Sequence, residues 1–388
     1  MKRLIIDKNE LLEVLQQMIR VESVNPTLVK GGNGESEIAN FLIKYLAQAG
    51  LKVQCQEIGP KRKNVIGILK GTGGGRSIIL NGHTDTVSLE GMKINPLEPE
   101  YREGRVYGRG SLDMKGGLAA IIIAVKALIQ GGVSLNGDVI LAFVADEEYA
   151  SMGTEALVKE YRADAAIICE PTDLKICIAH KGFAWTKVEV FGRAAHGSRP
   201  DQGIDAISKA GKVLIEMEKL GNHVLTQKSH PLLGSPSIHA SLISGGTELS
   251  IYPSYCRIEM ERRTIPGESY ETVRDEMKNM IDKISSEDRQ FRVSFDVFFH
   301  RPPLEVSRDE LIVKTLSNAY EGIFNKSPEY IGSSGWMDSA IVTEKGIPTV
   351  IFGPGGEGLH AEVEYVDFET VVDTAKVLAG TIVDFCNS

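Results

Sequence analysis

The sequence predicts a mixed α/β protein of two domains, the second inserted into the first. Three observations carry that expectation. At 388 residues the chain is long for a single hydrophobic core. Short β-branched and apolar runs alternate with segments of helical spacing, and several of the runs stop abruptly at acidic residues or histidine. In the middle of the chain the pattern changes to strands with one solvated face, interleaved with two amphipathic helices.

Taken in order, Leu11, Leu12, Leu15, Met18 and Ile19 repeat at helical spacing, and Asn25-Pro26 lies in the break that follows. A second stripe, Ile38, Phe41, Leu42, Tyr45, Leu46 and Ala49, closes at Gly50, the residue type a helix C-terminus favours. Strands are expected over 52–57 and 64–69. The five residues 71–75 form a turn and not a phosphate loop, because no Lys-Ser/Thr and no helix follows. Ile78-Ile79-Leu80 then reads as a buried strand running into Asn81-Gly82-His83-Thr84-Asp85. Polar residues just beyond such a strand lie where open α/β sheets bind ligands. A His-x-Asp pair there suits a metal ligand and a carboxylate that orients its ring.

The same ending recurs. A strand over 138–145 stops at Asp146-Glu147-Glu148, one over 165–169 at Glu170, and one over 348–352 leads through a glycine-rich loop to His360. Asp113 sits in another glycine-rich loop, just before a helix expected over 118–129. Between these parts come strands over 183–191, 237–243, 256–264 and 291–299, with helices over 206–217 and 270–284. The order β-α-β-β-α-β matches the split βαβ, ferredoxin-like arrangement. Residues 182–299 are therefore expected to form the inserted domain, and 1–181 with 300–388 the discontinuous first one.

A formal charge of −9 argues against a nucleic-acid or anionic-membrane surface. The five cysteines are scattered, odd in number and without a Cys-x-x-Cys, which fits a reducing compartment. The opening Met1-Lys2-Arg3-Leu4-Ile5-Ile6-Asp7 is too short in apolar residues for a signal peptide. The longest apolar stretch, 118–129, falls well below the ~20 residues of a spanning helix. A cytoplasmic protein is expected.

Two imidazoles and three carboxylates converging on one rim are costly unless something positive neutralises the acids. A pair of divalent ions does so, with one carboxylate shared and one His and one further carboxylate on each. Zinc suits imidazole plus carboxylate, with cobalt or manganese as substitutes; an ion-pair rim without metal is the alternative. Glu147 and Glu148 are adjacent and leave their strand in different directions, so one is able to bind metal while the other faces substrate as a general base. An acidic turn would use the same residues.

Six stretches together resemble the zinc aminoacylase/carboxypeptidase family of acetylornithine deacetylase and succinyl-diaminopimelate desuccinylase. They are Asn81–Val87, Gly108–Gly117, Ala145–Glu148, Cys169–Thr172, Arg193–Pro200 and Gly358–Ala361. The resemblance spans nearly the whole chain. It implies that Asp113 bridges two zinc ions, with His83 and Glu170 completing one and Glu148 and His360 the other. It further implies Glu147 as general base, Asp85 as the partner of His83, and a homodimer through the inserted lid. His196 would reach across that dimer to polarise the scissile carbonyl, and Arg263 would grip a substrate carboxylate. Ser250 stands where relatives place a substrate-pocket asparagine. Ser333-Ser334-Gly335-Trp336-Met337-Asp338 replaces a Gly-Gly-Thr-rich substrate loop. The implied activity is that of a metallopeptidase-like amidohydrolase taking an N-acyl amino acid or analogue. A dipeptidase or carboxypeptidase of the same family is the alternative, and a non-catalytic metal- or ligand-binding protein a third reading, against which Glu147 argues.

Overall fold

The computed structural model describes residues 4–388; the first three residues of the leading segment lie outside it. The chain forms two units, Met1–Ile178 with Val306–Ile331 and Met337–Ser388, and Ala179–Glu305 with Gly332–Trp336. The insertion expected at 182–299 lies inside the second unit, which extends further at both ends and also takes in 332–336.

The first unit is built on a mixed sheet. Ile78–His83 pairs in parallel with Val139–Val144 on one side and Ala165–Ile168 on the other, and Thr349–Ile351 continues in parallel beyond Ala165–Ile168. His83 stands opposite Val144 and Asn81 opposite Ile168, so the carboxyl ends of neighbouring strands reach one edge of the sheet together. The hairpin Lys52–Gly59 and Arg62–Leu69 adds antiparallel to Val139–Val144, and Ile176–His180 meets Thr349–Ile351 antiparallel at Cys177. Ile78–His83 and Val139–Val144 are buried along their whole length, which is why they read as continuous apolar runs.

Lys8–Arg20 starts at Asp7, whose carboxylate accepts the N–H groups of Asn9 and Glu10 at 3.0 and 3.1 Å. Gly116–Gln130 is buried without a break from Gly116 to Val125 and packs on Lys8–Arg20, on the sheet and on Phe368–Cys386. A Cβ on Gly117 would lie 2.2 Å from the carbonyl oxygen of Cys169, so a glycine is required for this helix start to touch the neighbouring strand end. Phe368–Cys386, which sequence patterning leaves unassigned, buries Val371, Val372, Ala375, Leu378 and Ile382. A small sheet, also unassigned, pairs Tyr365–Asp367 with Arg105–Tyr107, flanked by Gly356–Glu357 and Glu100–Arg102. It joins the chain just before Asp113 to the chain just after His360.

In the second unit, the antiparallel sheet runs Ser237–Gly245, Tyr255–Thr264, Gly182–Phe191, Arg292–Arg301. One face alternates into a core with the helices Ala206–Lys219 and Tyr270–Glu287, around Val188, Val190, Val213, Ile258, Met260, Met277 and Ile281. Element order and strand order are both ferredoxin-like. Among the described residues, no helix is long and apolar enough to cross a membrane.

Candidate metal centre

Each of the parallel strands delivers a side chain to the shared edge. His83 ends one strand, Glu148 follows Val139–Val144, Glu170 follows Ala165–Ile168, and His360 follows Thr349–Ile351 by a longer loop. Asp113 comes from the turn before Gly116–Gln130. The structure gathers these five into two groups, His83 with Asp113 and Glu170, and Asp113 with Glu148 and His360. Asp113 belongs to both. Its Oδ1 lies 2.9 Å from His83 Nε2 and its Oδ2 3.2 Å from His360 Nε2. Glu170 Oε1 is 3.6 Å from His83 Nε2, and Glu148 Oε2 is 3.2 Å from His360 Nε2. His360 takes a left-handed backbone conformation, φ 58°, which costs a non-glycine residue energy and clusters at functional sites.

The electrostatics follow from burying acids beside imidazoles. Burial pushes the Glu170 carboxyl up to about 8, against the pull of His83. Glu147 is raised well above the carboxylate range by burial, with Glu170, Asp338 and Glu148 adding repulsion. Burial opposes charge on His83, but Glu170 and Asp113 outweigh it and raise the ring well above its ordinary value. Hydrogen bonds to Asp113 and Glu148 lift His360 to about 10. For Asp113 burial is again overcome, here by the two histidines, and its carboxyl is held below the usual range.

Two groups of nitrogen and oxygen donors, each within 4.8 Å, fit a pair of divalent ions. Among the described residues, the buried Glu148 Oε1 meets no hydrogen-bond partner, the state of an oxygen left for a cation.

The expected partnership of Asp85 with His83 takes a different form. Asp85 Oδ1 is 3.7 Å from His83 Nδ1, too far for a hydrogen bond, whereas the backbone carbonyl oxygen of Asp85 is at 2.9 Å. The carboxylate is engaged elsewhere. It accepts the N–H groups of Glu147 and Glu148 at 3.2 and 3.1 Å and the Asn25 amide at 2.8 Å. Those donors hold the carboxylate toward the Glu147–Glu148 loop, and the His83 ring meets the nearer backbone carbonyl instead.

The remaining expected residues lie in the second unit. His196 is exposed, with Nδ1 2.8 Å from Ser198 Oγ, and pairs across an antiparallel bridge with Ile251. Ser250 sits beside it, its carbonyl accepting the Gly197 N–H at 2.7 Å. Arg263 is held through Nε by Glu261 at 2.7 Å and lies over the Phe183 ring. Gly335 is exposed, while its neighbour Trp336 is half-buried, donates Nε1–H to Pro302 and meets Phe183 edge-on.

Sequence patterning missed the buried support beneath the rim. Asp146 is tied to Asn25 at 3.0 Å and to Arg62 at 2.7 Å, and Arg62 also forks onto Glu35. Glu364 accepts three backbone N–H groups of the Asp113 loop and a guanidinium. Its signal was legible: a lone acid inside Val363-Glu364-Tyr365-Val366, an otherwise apolar run. Asp338 is buried against Thr154 Oγ1 at 2.5 Å.

Fold and rim together define a two-domain hydrolase built round paired His/carboxylate groups. The chain belongs to peptidase family M20/M25/M40, whose model matches residues 79–384. Over 351 residues it is 30% identical to acetylornithine deacetylase of Myxococcus xanthus, covering 88% of this chain and 90% of that protein. It is 28% identical over 411 residues to N-formyl-4-amino-5-aminomethyl-2-methylpyrimidine deformylase of Bacillus subtilis, covering 98% and 95%. Its fold is shared with aminopeptidase PepT of Bacillus cereus, at TM-score 0.81 and 23% identity over 98% of this chain and 99% of that one. It is shared also with the Bacillus subtilis YXEP protein, a dinuclear metal binding peptidase, at TM-score 0.74 and 17% identity over 98% of both.

Proposed function

We propose that this hydrolase removes the acyl group from an N-acyl amino acid or a related N-acyl amine, using two divalent ions and Glu147. The observation that carries the reading is Asp113, one carboxylate shared by two His/carboxylate groups, with Glu147 directly beside Glu148. His83 and Glu170 hold one ion, Glu148 and His360 the other, and Asp113 both; zinc is the favoured metal, with cobalt or manganese able to replace it. When bound, the ions supply Lewis acidity to the scissile carbonyl and to the attacking water. Glu147 accepts a proton from that water and delivers it to the leaving nitrogen as the C–N bond breaks.

The second unit supplies the rest of the reading. Glu261 occupies only Nε of Arg263, so the terminal nitrogens are the part available to a substrate carboxylate. Ser250 and the Gly335 loop are the further residues assigned to substrate binding, on the family resemblance. The edge strand Ser237–Gly245 is almost wholly exposed, and Leu242, Ile243 and Leu249 are each more than half exposed. Such an edge invites pairing with a second copy. His196 adjoins this surface through Ile251, which supports its supply in trans to the partner's site. The scattered, odd-numbered cysteines, with no Cys-x-x-Cys, accord with a cytoplasmic setting.

Acyl removal is favoured over peptide cleavage because the two sequence relatives above are named for removing an acetyl and a formyl group, while the peptidase likeness to PepT is one of fold. A panel of N-acetyl amino acids, N-formyl amines and dipeptides, offered to the zinc-loaded protein, tests the reading. Release of acetate or formate is expected; turnover of dipeptides alone would replace it with a peptidase.

A further inference from the structure

Glu364 is completely buried and carries four donors on its two oxygens. Oε1 accepts Leu112 N–H at 2.9 Å and Asp113 N–H at 3.1 Å. Oε2 accepts Gly110 N–H at 3.0 Å and Arg109 Nη1 at 2.8 Å. The loop it grips is not regular helix: Asp113 and Met114 have extended and bridge-like backbone angles in place of helical ones. The N–H groups of Leu112 and Asp113 therefore depend on Glu364 for a buried acceptor.

The same carboxylate ties that loop to the other side of the rim. Glu364 follows His360 by four residues, its own carbonyl accepts Gly108 N–H at 3.2 Å, and Arg109 Nη2 donates to the Ala361 carbonyl at 3.1 Å. Arg109 and Glu364 are thus a buried clasp between the segment carrying Asp113 and the segment carrying His360, with the guanidinium 2.8 Å from the carboxylate.

Among the described residues, the Asp113 carboxylate is held by His83 and His360. On the two-metal reading, on which this inference rests, both imidazoles turn their lone pairs to the ions and those two hydrogen bonds are given up. The aim of the shared carboxylate then rests on its backbone. We propose that Glu364 is a positioning residue that sets the Asp113 carboxylate between the two ligand groups, so that both ions bind through it. Glu364 touches no ion and no substrate; it acts through the amides of residues 110–113. Partners of this kind commonly change metal affinity or activity about 10–100-fold when removed.

The test is a zinc titration of chelator-stripped protein against a chromophoric chelator, repeated with cobalt(II) while its visible absorption is recorded. Wild type is expected to bind two ions. Glu364→Gln keeps the volume but turns an N–H donor toward the loop amides. It is expected to weaken both ions in parallel, about 10–100-fold, and to alter the cobalt spectrum. Glu268→Gln, a buried carboxylate in the other unit, is the control: it loses stability and leaves affinity and spectrum unchanged. If Glu364→Gln does not fold, Glu364→Asp carries the test, because it keeps the charge and the Arg109 pair but is one carbon too short to hold both Leu112 and Asp113. Wild-type affinity and spectrum in the variant that folds would overturn the proposal, as would weakening of one ion alone. Absence of metal binding by wild type would instead remove the two-metal reading itself.

Discussion

Asp85 Oδ2 accepts the backbone N–H of Glu148 at 3.1 Å, joining the loop after one parallel strand to the loop after its neighbour. Asp85 Oδ1 does the same for Glu147 at 3.2 Å. Asp85→Asn replaces one acceptor with a donor that must face an N–H. The expected cost is about 1–3 kcal/mol of stability, the penalty of an unsatisfied buried polar group. Turnover should fall with it, because Glu147 and Glu148 lose their common anchor. Urea unfolding checks the first part; an unchanged midpoint would show that the anchor is dispensable.

Glu147 is placed beside the ligand groups but in neither of them. Glu147→Gln should therefore retain the metal content of wild type while losing about 10²–10⁴-fold in kcat, the range for general acid–base catalysis. Asp113→Asn should do the reverse, lowering the content of both ions at once. Metal analysis alongside kinetics separates the two, and metal loss in Glu147→Gln would mean that Glu147 and Glu148 have exchanged roles.

In the second unit, the fully buried Arg262 donates to Glu268 at 2.8 Å and to Glu276 at 2.9 Å, and Lys228 adds to Glu268 at 2.7 Å. Burial pushes the Glu268 carboxyl up, but the hydrogen bonds from Arg262 and Lys228 outweigh it and leave it below its ordinary value. A depressed folded-state pKa contributes stability that is present above the unfolded value, about 4.3, and is lost as pH falls through the folded one. Acidification should thus destabilise this unit, and Glu268→Gln should flatten that part of the pH–stability curve while lowering stability at neutral pH. Chemical denaturation from pH 7 downward reads both; parallel curves for variant and wild type would remove Glu268 from the acid transition.

His196 and Glu147 lie in different units of the chain. If His196 is supplied in trans, homodimers of His196→Ala and of Glu147→Ala are both nearly inactive, whereas a heterodimer holds one site with both residues intact. Mixing the variants under subunit exchange should then restore activity. Supply in cis leaves every site in the mixture one residue short, so silence after exchange confirmed by mass would end the trans assignment.

Much of this was legible before any coordinate. Ile78–His83, Val139–Val144 and Ala165–Ile168 declare themselves because a strand buried on both faces must be apolar at every position, and a histidine or acid then marks where it leaves the core. Local pattern also sufficed for Gly182–Phe191, whose alternation follows from having one face on a helix layer. Local pattern could not assign the Asp85 carboxylate to the amides of Glu147 and Glu148 rather than to the ring two residues away. That choice was made by distances across neighbouring strands, and a chain alone does not specify them. Nor could it join Glu364 to residues 110–113, some 250 positions away. Only the small sheet pairing Tyr365 with Tyr107 brings that acid to those amides. The residue types needed to bind metal are written locally, because chemistry selects them one at a time. Their aim is decided by the fold, because a buried carboxylate takes whichever donors the tertiary structure leaves unsatisfied.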